Sequence, residues 1–163
     1  MELYILRHGE AGDALPMGGA DAERALTMEG KKEVADVCKR LSKVGLKFDR
    51  IATSPLKRAK ETAEIAGREF GIEVEEWAEL KPEAKAEDLG RRLSRQKRDS
   101  SVLLVGHEPF LTAFIGEVVG AGPEAKFILK KAGLARVSIT GFVPRMTGEL
   151  RWLLSPKTIR RLR

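Results

Sequence analysis

The chain has 163 residues, of which 42% are hydrophobic and 33% are charged, and its net charge is +6. This size and balance predict one domain over 1–163 whose core needs neither disulfides nor a metal, and the lone Cys38 favours a reducing, cytoplasmic setting. No apolar run is long enough to cross a membrane, so we expect no membrane partner. No nucleic-acid-binding motif accompanies the basic residues, so nucleic-acid binding is not expected and is kept only as a minor alternative.

The first predicted element is the short apolar run at residues 3–6. A run this short and rich in β-forming residues predicts a buried strand. Arg7, His8 and Gly9 follow it, and Gly9 permits a sharp turn of the backbone. Because ligands bind at the carboxyl ends of strands in open α/β sheets, Arg7 and His8 are candidate phosphate ligands. Residues 10–26 predict a loop over this strand end.

A helix is predicted from Thr27, whose hydroxyl caps its first turn, to about Val44. Apolar residues recur on one face of it at helical spacing, at 34, 37, 38, 41 and 44. Cys38 lies on that face, which indicates core packing rather than nucleophilic chemistry. Residues 49–53 then predict a second strand.

A second helix is predicted to open at Ser54, with Ser54 as its capping residue and Pro55 in its first position. It runs to about Phe70 and stops at Gly71. Arg58 therefore lies near a helix N-terminus, which already favours anions.

The second half of the chain continues to alternate strands with helices. The predicted elements are an edge strand within 72–78, a helix over 86–97, a strand over 101–106 that ends in Gly106 and His107, a helix with Leu111, Phe114, Ile115 and Val118 on one face, strands over 134–140 and 149–154, and a short basic helix over 156–162. Alternating strands and helices predict an α/β domain, and the last two strands predict an antiparallel edge.

The sequence contains only two histidines, His8 and His107, and each ends a predicted strand beside a glycine. If the two strands are neighbours, both imidazoles face one pocket. Arg7 and Arg58 then complete a cationic site suited to a phosphoryl group, whose oxygens guanidinium forks can bridge. Two histidines and one cysteine are too few ligands for a zinc site, and we expect no metal and no other cofactor.

Three motifs resemble those of the histidine phosphatase superfamily, which includes the phosphoglycerate mutases. They are LRHGEA at 6–11, SPLKRAKET at 54–62 and VGHE at 105–108. The short length and the segment 150–157 resemble the SixA-type phosphohistidine phosphatases within it. The resemblance implies a phosphoglycerate mutase-like fold: a three-layer α/β/α sandwich around a mostly parallel sheet with an antiparallel edge strand.

The resemblance also implies roles for the site residues. His8 would be the nucleophile and would carry the phosphoryl group covalently until water hydrolyses it. Arg7, Arg58 and His107 would bind the phosphoryl oxygens and stabilise charge in the transition state. The general acid stays open. Many members of the superfamily have the acid at the position that Pro82 occupies here. The candidates are Glu83, which lies one residue later, and Glu108, which follows the second histidine. The third possibility is that this chain has no general acid.

The leading hypothesis is a metal-independent phosphatase that acts on phosphohistidine carried by a protein. The span 72–101 leaves little chain for a lid, and an open site suits a phosphate presented on a protein surface. The alternatives are a phosphatase or mutase acting on a small phosphorylated ligand, and a phosphate-dependent binding module without turnover. The presence of His8 argues against the binding module, since binding needs the cations but not the nucleophile.

Overall fold

The computed structural model describes residues 1–13 and 20–163, so the part of the predicted loop at 14–19 lies outside the described residues. The strands in these ranges are β1 (Glu2–Arg7), β2 (Arg50–Thr53), β3 (Val74–Glu76), β4 (Ser101–Gly106), β5 (Leu134–Gly141) and β6 (Thr147–Leu154). The helices are α1 (Met28–Lys43), α2 (Lys57–Phe70), α3 (Ala86–Ser94), α4 (Phe110–Val118) and α5 (Pro156–Ile159). Short 3-10 turns occupy Asp21–Glu23 and Ala78–Leu80.

The six strands form one sheet in the order β3-β2-β4-β1-β5-β6. The four strands from β3 to β1 pair in parallel, β5 pairs antiparallel with β1, and β6 pairs antiparallel with β5. The predicted α/β fold with a mostly parallel sheet and an antiparallel edge is confirmed. The pairing of β1 with β4 places Leu6 opposite Val105 and Arg7 opposite Gly106, so these two strands end side by side.

Helices cover both faces of the sheet, which gives three layers. Successive strand residues point to opposite faces, so Leu3 and Ile5 of β1 pack with buried residues of α3 and α4. Tyr4 and Leu6 pack on the other face with buried residues of α1, α2 and α5. Among the helices in the described ranges, none combines the length and the apolar character needed to cross a membrane.

Several predicted boundaries are confirmed. The Thr27 hydroxyl accepts a hydrogen bond from the Gly30 amide at 2.9 Å and caps α1, Gly71 ends α2 with a φ of 67°, and β3 is an edge strand. Two helices are shorter than predicted, because α3 ends at Ser94 rather than near 97 and α5 ends at Ile159 rather than near 162.

The predicted start of α2 is wrong. The helix begins at Lys57, and Leu56 rather than Ser54 is its N-terminal flanking residue. The Ser54 hydroxyl instead accepts a hydrogen bond from the Leu56 amide at 3.3 Å, inside a tight turn that precedes the helix. Pro55 lies in that turn and not in the first helical position, because the chain first has to bend away from the end of β2.

Glu108, which directly precedes Pro109, does not cap α4. The residue that precedes α4 is Pro109, and the first turn has no side-chain cap. The Glu108 carboxylate instead accepts a hydrogen bond from the Thr112 hydroxyl at 2.5 Å.

Candidate active site

The ends of β1 and β4 bring the two histidines together. The His8 amide donates to the Gly106 carbonyl at 3.1 Å, and the ring centroids of His8 and His107 lie 5.1 Å apart. Both side chains are buried, with His8 8% exposed and His107 1% exposed. The prediction that neighbouring strands would direct both imidazoles into one site is confirmed.

Two contacts define the hydrogen-bonding state of His8. Its Nδ1 lies 2.7 Å from the carbonyl oxygen of Gly9, and because a carbonyl only accepts, we assign the ring proton to Nδ1. The lone pair is then on Nε2, where the Nε of Arg58 donates at 3.3 Å. Burial lowers the pKa of His8 to about 4, and the positive charges of Arg58 and Arg7 act in the same direction. His8 is therefore neutral near pH 7.

Gly9 is needed for packing as well as for the turn. A Cβ at this position would lie 2.7 Å from a methyl carbon of Val34 in α1. The Gly9 amide donates to the Thr62 hydroxyl at 3.1 Å, and that hydroxyl donates to the Arg58 carbonyl at 2.7 Å. Thr62 thus connects the turn after His8 to the first turns of α2.

Arg58 reaches the site from the first turn of α2 and is 6% exposed. Its Nε points to His8. Its other two nitrogens contact Asp21: Nη1 donates to the backbone carbonyl at 2.8 Å and Nη2 to the carboxylate at 2.9 Å.

His107 is held at Nε2, whereas His8 is held at Nδ1. The Nε2 of His107 lies 2.8 Å from the Ser54 hydroxyl, and its Nδ1 is buried without a partner among the described residues. Burial lowers the pKa of His107 to about 3, and positive charge on His8, Arg58 and Arg7 acts in the same direction. His107 is therefore also neutral near pH 7.

Arg7 is the last residue of β1, and its side chain reaches the segment that precedes β5. Its Nη1 donates to the Leu129 carbonyl at 3.1 Å, and its Nε is buried without a partner among the described residues. Arg7 Nε and His107 Nδ1 are thus two buried nitrogens without a partner among the described residues, and they belong to side chains at the adjacent ends of β1 and β4.

Comparisons with known proteins identify the family. The histidine phosphatase superfamily (branch 1) matches residues 3–83. A protein of Picosynechococcus sp. is 37% identical over 166 residues, which cover 96% of this chain and 98% of that protein. This chain belongs to the histidine phosphatase superfamily. The mitochondrial serine/threonine-protein phosphatase Pgam5 of Drosophila persimilis is 29% identical over 154 residues, and the match covers 76% of this chain and only 52% of that longer protein.

Solved structures agree with the family. The protein histidine phosphatase SixA complexed with tungstate superposes with a TM-score of 0.84 at 25% identity, covering 96% of this chain and 98% of that one. The alpha-ribazole phosphatase from Shigella flexneri gives a TM-score of 0.78 at 20% identity, covering 96% and 97%, and at that identity the likeness shows the fold alone. The chain is a phosphatase, and its likeness to SixA supports the SixA-type branch predicted from its motifs.

The general acid of this phosphatase stays open. Glu83 is exposed. Glu108 has one carboxylate oxygen on Thr112 and the other buried without a partner in the described part of the chain. Asp21 is also near the site, but hydrogen bonds from Arg24 and Arg58 lower its pKa. Asp21 is therefore ionised at neutral pH and has no proton to give.

All four predicted site residues lie at this edge of the sheet: Arg7, His8, Arg58 and His107. The sequence did not predict that Asp21, Ser54 and Thr62 would contact this site. Among the described residues, no group of three or more His, Cys, Asp or Glu side chains could hold a metal ion. The spacing of Ser54 and Thr62 around Arg58 within one motif was the available signal, while Asp21 had none.

Proposed function

We propose that this phosphatase transfers a phosphoryl group from its substrate to Nε2 of His8 and then hydrolyses the phosphohistidine. The observation that carries the proposal is the state of His8. The Gly9 carbonyl holds the ring proton on Nδ1, and burial holds the pKa at about 4. A nucleophile needs an unprotonated lone pair, and Nε2 has one at neutral pH, facing the Nε–H of Arg58.

In the first step the lone pair of Nε2 forms a bond to phosphorus while the bond from phosphorus to the leaving group breaks. The leaving group takes that electron pair and a proton from solvent. In the second step the oxygen of water attacks phosphorus, the electron pair of the phosphorus–nitrogen bond returns to Nε2, inorganic phosphate leaves, and the water returns one proton to solvent. Arg58 Nε, which faces Nε2 at 3.3 Å in the free protein, would turn to a phosphoryl oxygen, and Arg7 and His107 would bind the others.

We propose protein phosphohistidine as the substrate class. The likeness to SixA, a protein histidine phosphatase, supports this substrate class. Phosphohistidine leaves as imidazole, which needs a strong proton donor less than an alkoxide does, and this agrees with a site where no acid is assigned. In the fully described span 72–101, the longest segment outside the helices and strands is 77–85. It contains the 3-10 turn Ala78–Leu80 and packs into the core through Trp77 and Leu80. That span therefore builds no lid, which suits a phosphate presented on a protein.

The rim beside Arg7 also favours a protein partner of acidic character. Ile128, 77% exposed, stands between the exposed residues Lys126 and Lys130, directly before the Leu129 carbonyl that binds Arg7. Together with a net charge of +6, this rim would attract acidic surfaces, and the attraction would weaken as salt rises.

The test has two parts. First, the protein is incubated with substrate and quenched in alkali, and an acid-labile phosphoryl group is expected on His8. Second, kcat/KM is measured at matched ionic strength for a phosphohistidine protein, a phosphoserine protein, a sugar phosphate and a phosphoglycerate. The highest value is expected for phosphohistidine. A clear preference for a small phosphomonoester would replace the substrate proposal, and binding of phosphate without any turnover would replace the enzyme by a binding module.

A further inference from the structure

Asp21 occupies one edge of the Arg58 guanidinium, the terminal edge formed by Nη1 and Nη2. The backbone carbonyl and the carboxylate of Asp21 accept from the two terminal nitrogens, at 2.8 and 2.9 Å. The remaining Nε–H points at Nε2 of His8. A guanidinium whose end is fixed in this way still offers a second pair of parallel donors, the Nε–H and the other Nη2 hydrogen.

Asp21 is itself fixed from behind. Its second carboxylate oxygen accepts from Nη1 of Arg24 at 2.9 Å, and the Nε of Arg24 donates to the Gly12 carbonyl at 2.8 Å. The carboxylate therefore bridges two arginines and connects Arg58 to the backbone of the loop that follows His8. A chain of charge-assisted hydrogen bonds of this kind restricts the orientation of a planar guanidinium.

We propose that Asp21 is a positioning residue of the phosphatase: it holds the terminal edge of Arg58 so that the lateral edge grips the phosphoryl group at His8. The inference rests on the proposed function and adds to it the residue that orients the phosphate clamp. Asp21 acts through Arg58 and contacts no reacting atom. Its carboxylate is ionised at neutral pH, since Arg24 and Arg58 lower its pKa, so the support persists over the working range.

The opposite role would be competition, with the carboxylate occupying Arg58 until phosphate displaces it. The two roles predict effects of opposite sign. A positioning residue strengthens phosphate binding, so its removal weakens binding, whereas removal of a competitor tightens binding. The lateral edge of Arg58 does not contact Asp21: its Nε–H donates to Nε2 of His8. A phosphoryl group at His8 would replace that contact and would not need to displace the carboxylate.

The experiment is a double-mutant cycle on D21A and R58A, read as kcat/KM and as the Kd of inorganic phosphate. D21A is expected to lower kcat/KM about tenfold, within the hundredfold that a misplaced catalytic group costs, and to weaken phosphate binding several-fold. In the R58A background, D21A is expected to change neither quantity, because the two residues act as a unit. D21N, which keeps the shape but not the charge, is expected to recover part of the loss.

The matched control is E23Q. Glu23 is exposed in the same 3-10 turn and has no ion pair among the described residues, so E23Q removes one negative charge from the same place without touching Arg58. It is expected to leave both quantities unchanged. Tighter phosphate binding in D21A would establish competition instead, and an equal loss in the R58A background would reduce Asp21 to a general structural role. If R58A itself changes neither phosphate binding nor turnover, the proposed site fails and not only this inference.

Discussion

The ends of β1 and β4 carry the same residue in the same position, yet the structure holds the two histidines by opposite ring nitrogens. His8 is bound at Nδ1 by the Gly9 carbonyl and presents Nε2 to Arg58. His107 is bound at Nε2 by the Ser54 hydroxyl and has Nδ1 without a partner in the described part of the chain. The strand end determines where each imidazole lies, and the group behind it determines what the imidazole can do.

The chemistry of those two groups differs. A carbonyl can only accept, so it places the proton of His8 behind the ring and the lone pair in the site. The Ser54 hydroxyl accepts from the Leu56 amide, and among the described residues the Nε2 of His107 is the acceptor within reach of its hydrogen. We therefore assign Ser54 as the donor, which places the proton of His107 on Nδ1, the nitrogen without a partner. One histidine is thereby suited to attack phosphorus and the other to donate to its oxygens.

The largest expected effect separates the two histidines. H8A removes the lone pair that the proposed mechanism bonds to phosphorus, so turnover and the trapped phosphoenzyme should both disappear. H107A removes one donor, which costs about 10²- to 10³-fold in kcat, but a phosphoenzyme should still form slowly. Rapid quench in alkali with labelled substrate measures both. Full activity in H8A would contradict the proposed mechanism.

Arg58 is the donor nearest the lone pair of His8, and its loss should rank second. We expect R58A to lose about 3 kcal/mol or more of transition-state stabilisation, as for one preorganised oxyanion donor. R58K should recover little, because a point charge does not replace a bidentate fork. Steady-state kinetics with vanadate as inhibitor measures the loss. EDTA serves as the control and should have no effect, whereas inhibition by EDTA that a divalent metal reverses would show a different site.

Ser54 sharpens the comparison at its weaker point. S54A should free His107 to take either tautomer and lower kcat by about tenfold, less than loss of the histidine itself. Nitrogen-15 NMR of the imidazoles should show the proton on Nδ1 in the wild type and a mixture in S54A. Finding the proton on Nε2 of His107 in the wild type would reverse the assignment. His8 provides the internal control, since its tautomer should not change.

The last expected effect is on stability against acid and not on turnover. Both histidines have a folded pKa below the ordinary 6.5, about 4 for His8 and about 3 for His107. Between pH 6.5 and 4 the unfolded chain binds protons that the folded chain refuses, so the free energy of unfolding falls as pH falls. Each histidine contributes on the order of 3 kcal/mol to this loss.

Urea denaturation at pH 7, 6, 5 and 4 measures that effect. The comparison is between the wild type and H107Q, because both share every carboxylate and differ in one titrating imidazole. H107Q should lose less stability over this window than the wild type. Parallel curves for the two proteins would mean that His107 is protonated in the folded state at mild acidity, and its assignment as a neutral donor would then be wrong.

The sequence predicted the sheet, and the places of Arg7, His8, Arg58 and His107 at strand and helix ends, because the signals were local. The apolar runs before Arg7 and before His107 each fill one strand, and a glycine or a turn ends each. Neighbouring strands bring such ends together whatever the intervening chain does. The sequence left the pairing of β1 with β4 as a condition; the structure shows that pairing, and it brings the two histidines together.

Two features could not be predicted for physical reasons. A capping hydroxyl and a hydroxyl that orients a catalytic ring look the same in a sequence, so Ser54 was assigned to the helix and not to His107. Asp21 meets Arg58 through the path of the described segment 20–27 that leads into α1. That path depends on tertiary contacts such as Arg24 with Gly12, for which no periodic pattern exists.

The pairing of β1 with β4 also sets when the site can exist during folding. The two histidines lie on adjacent strands but are separated by most of the first two thirds of the chain. Contacts between such distant segments form slowly, since the loop between them must first close. Local helices such as α1 should therefore form before any activity returns. Recovery of hydrolysis after dilution from denaturant would report the closing of the central sheet, later than the recovery of helical circular dichroism.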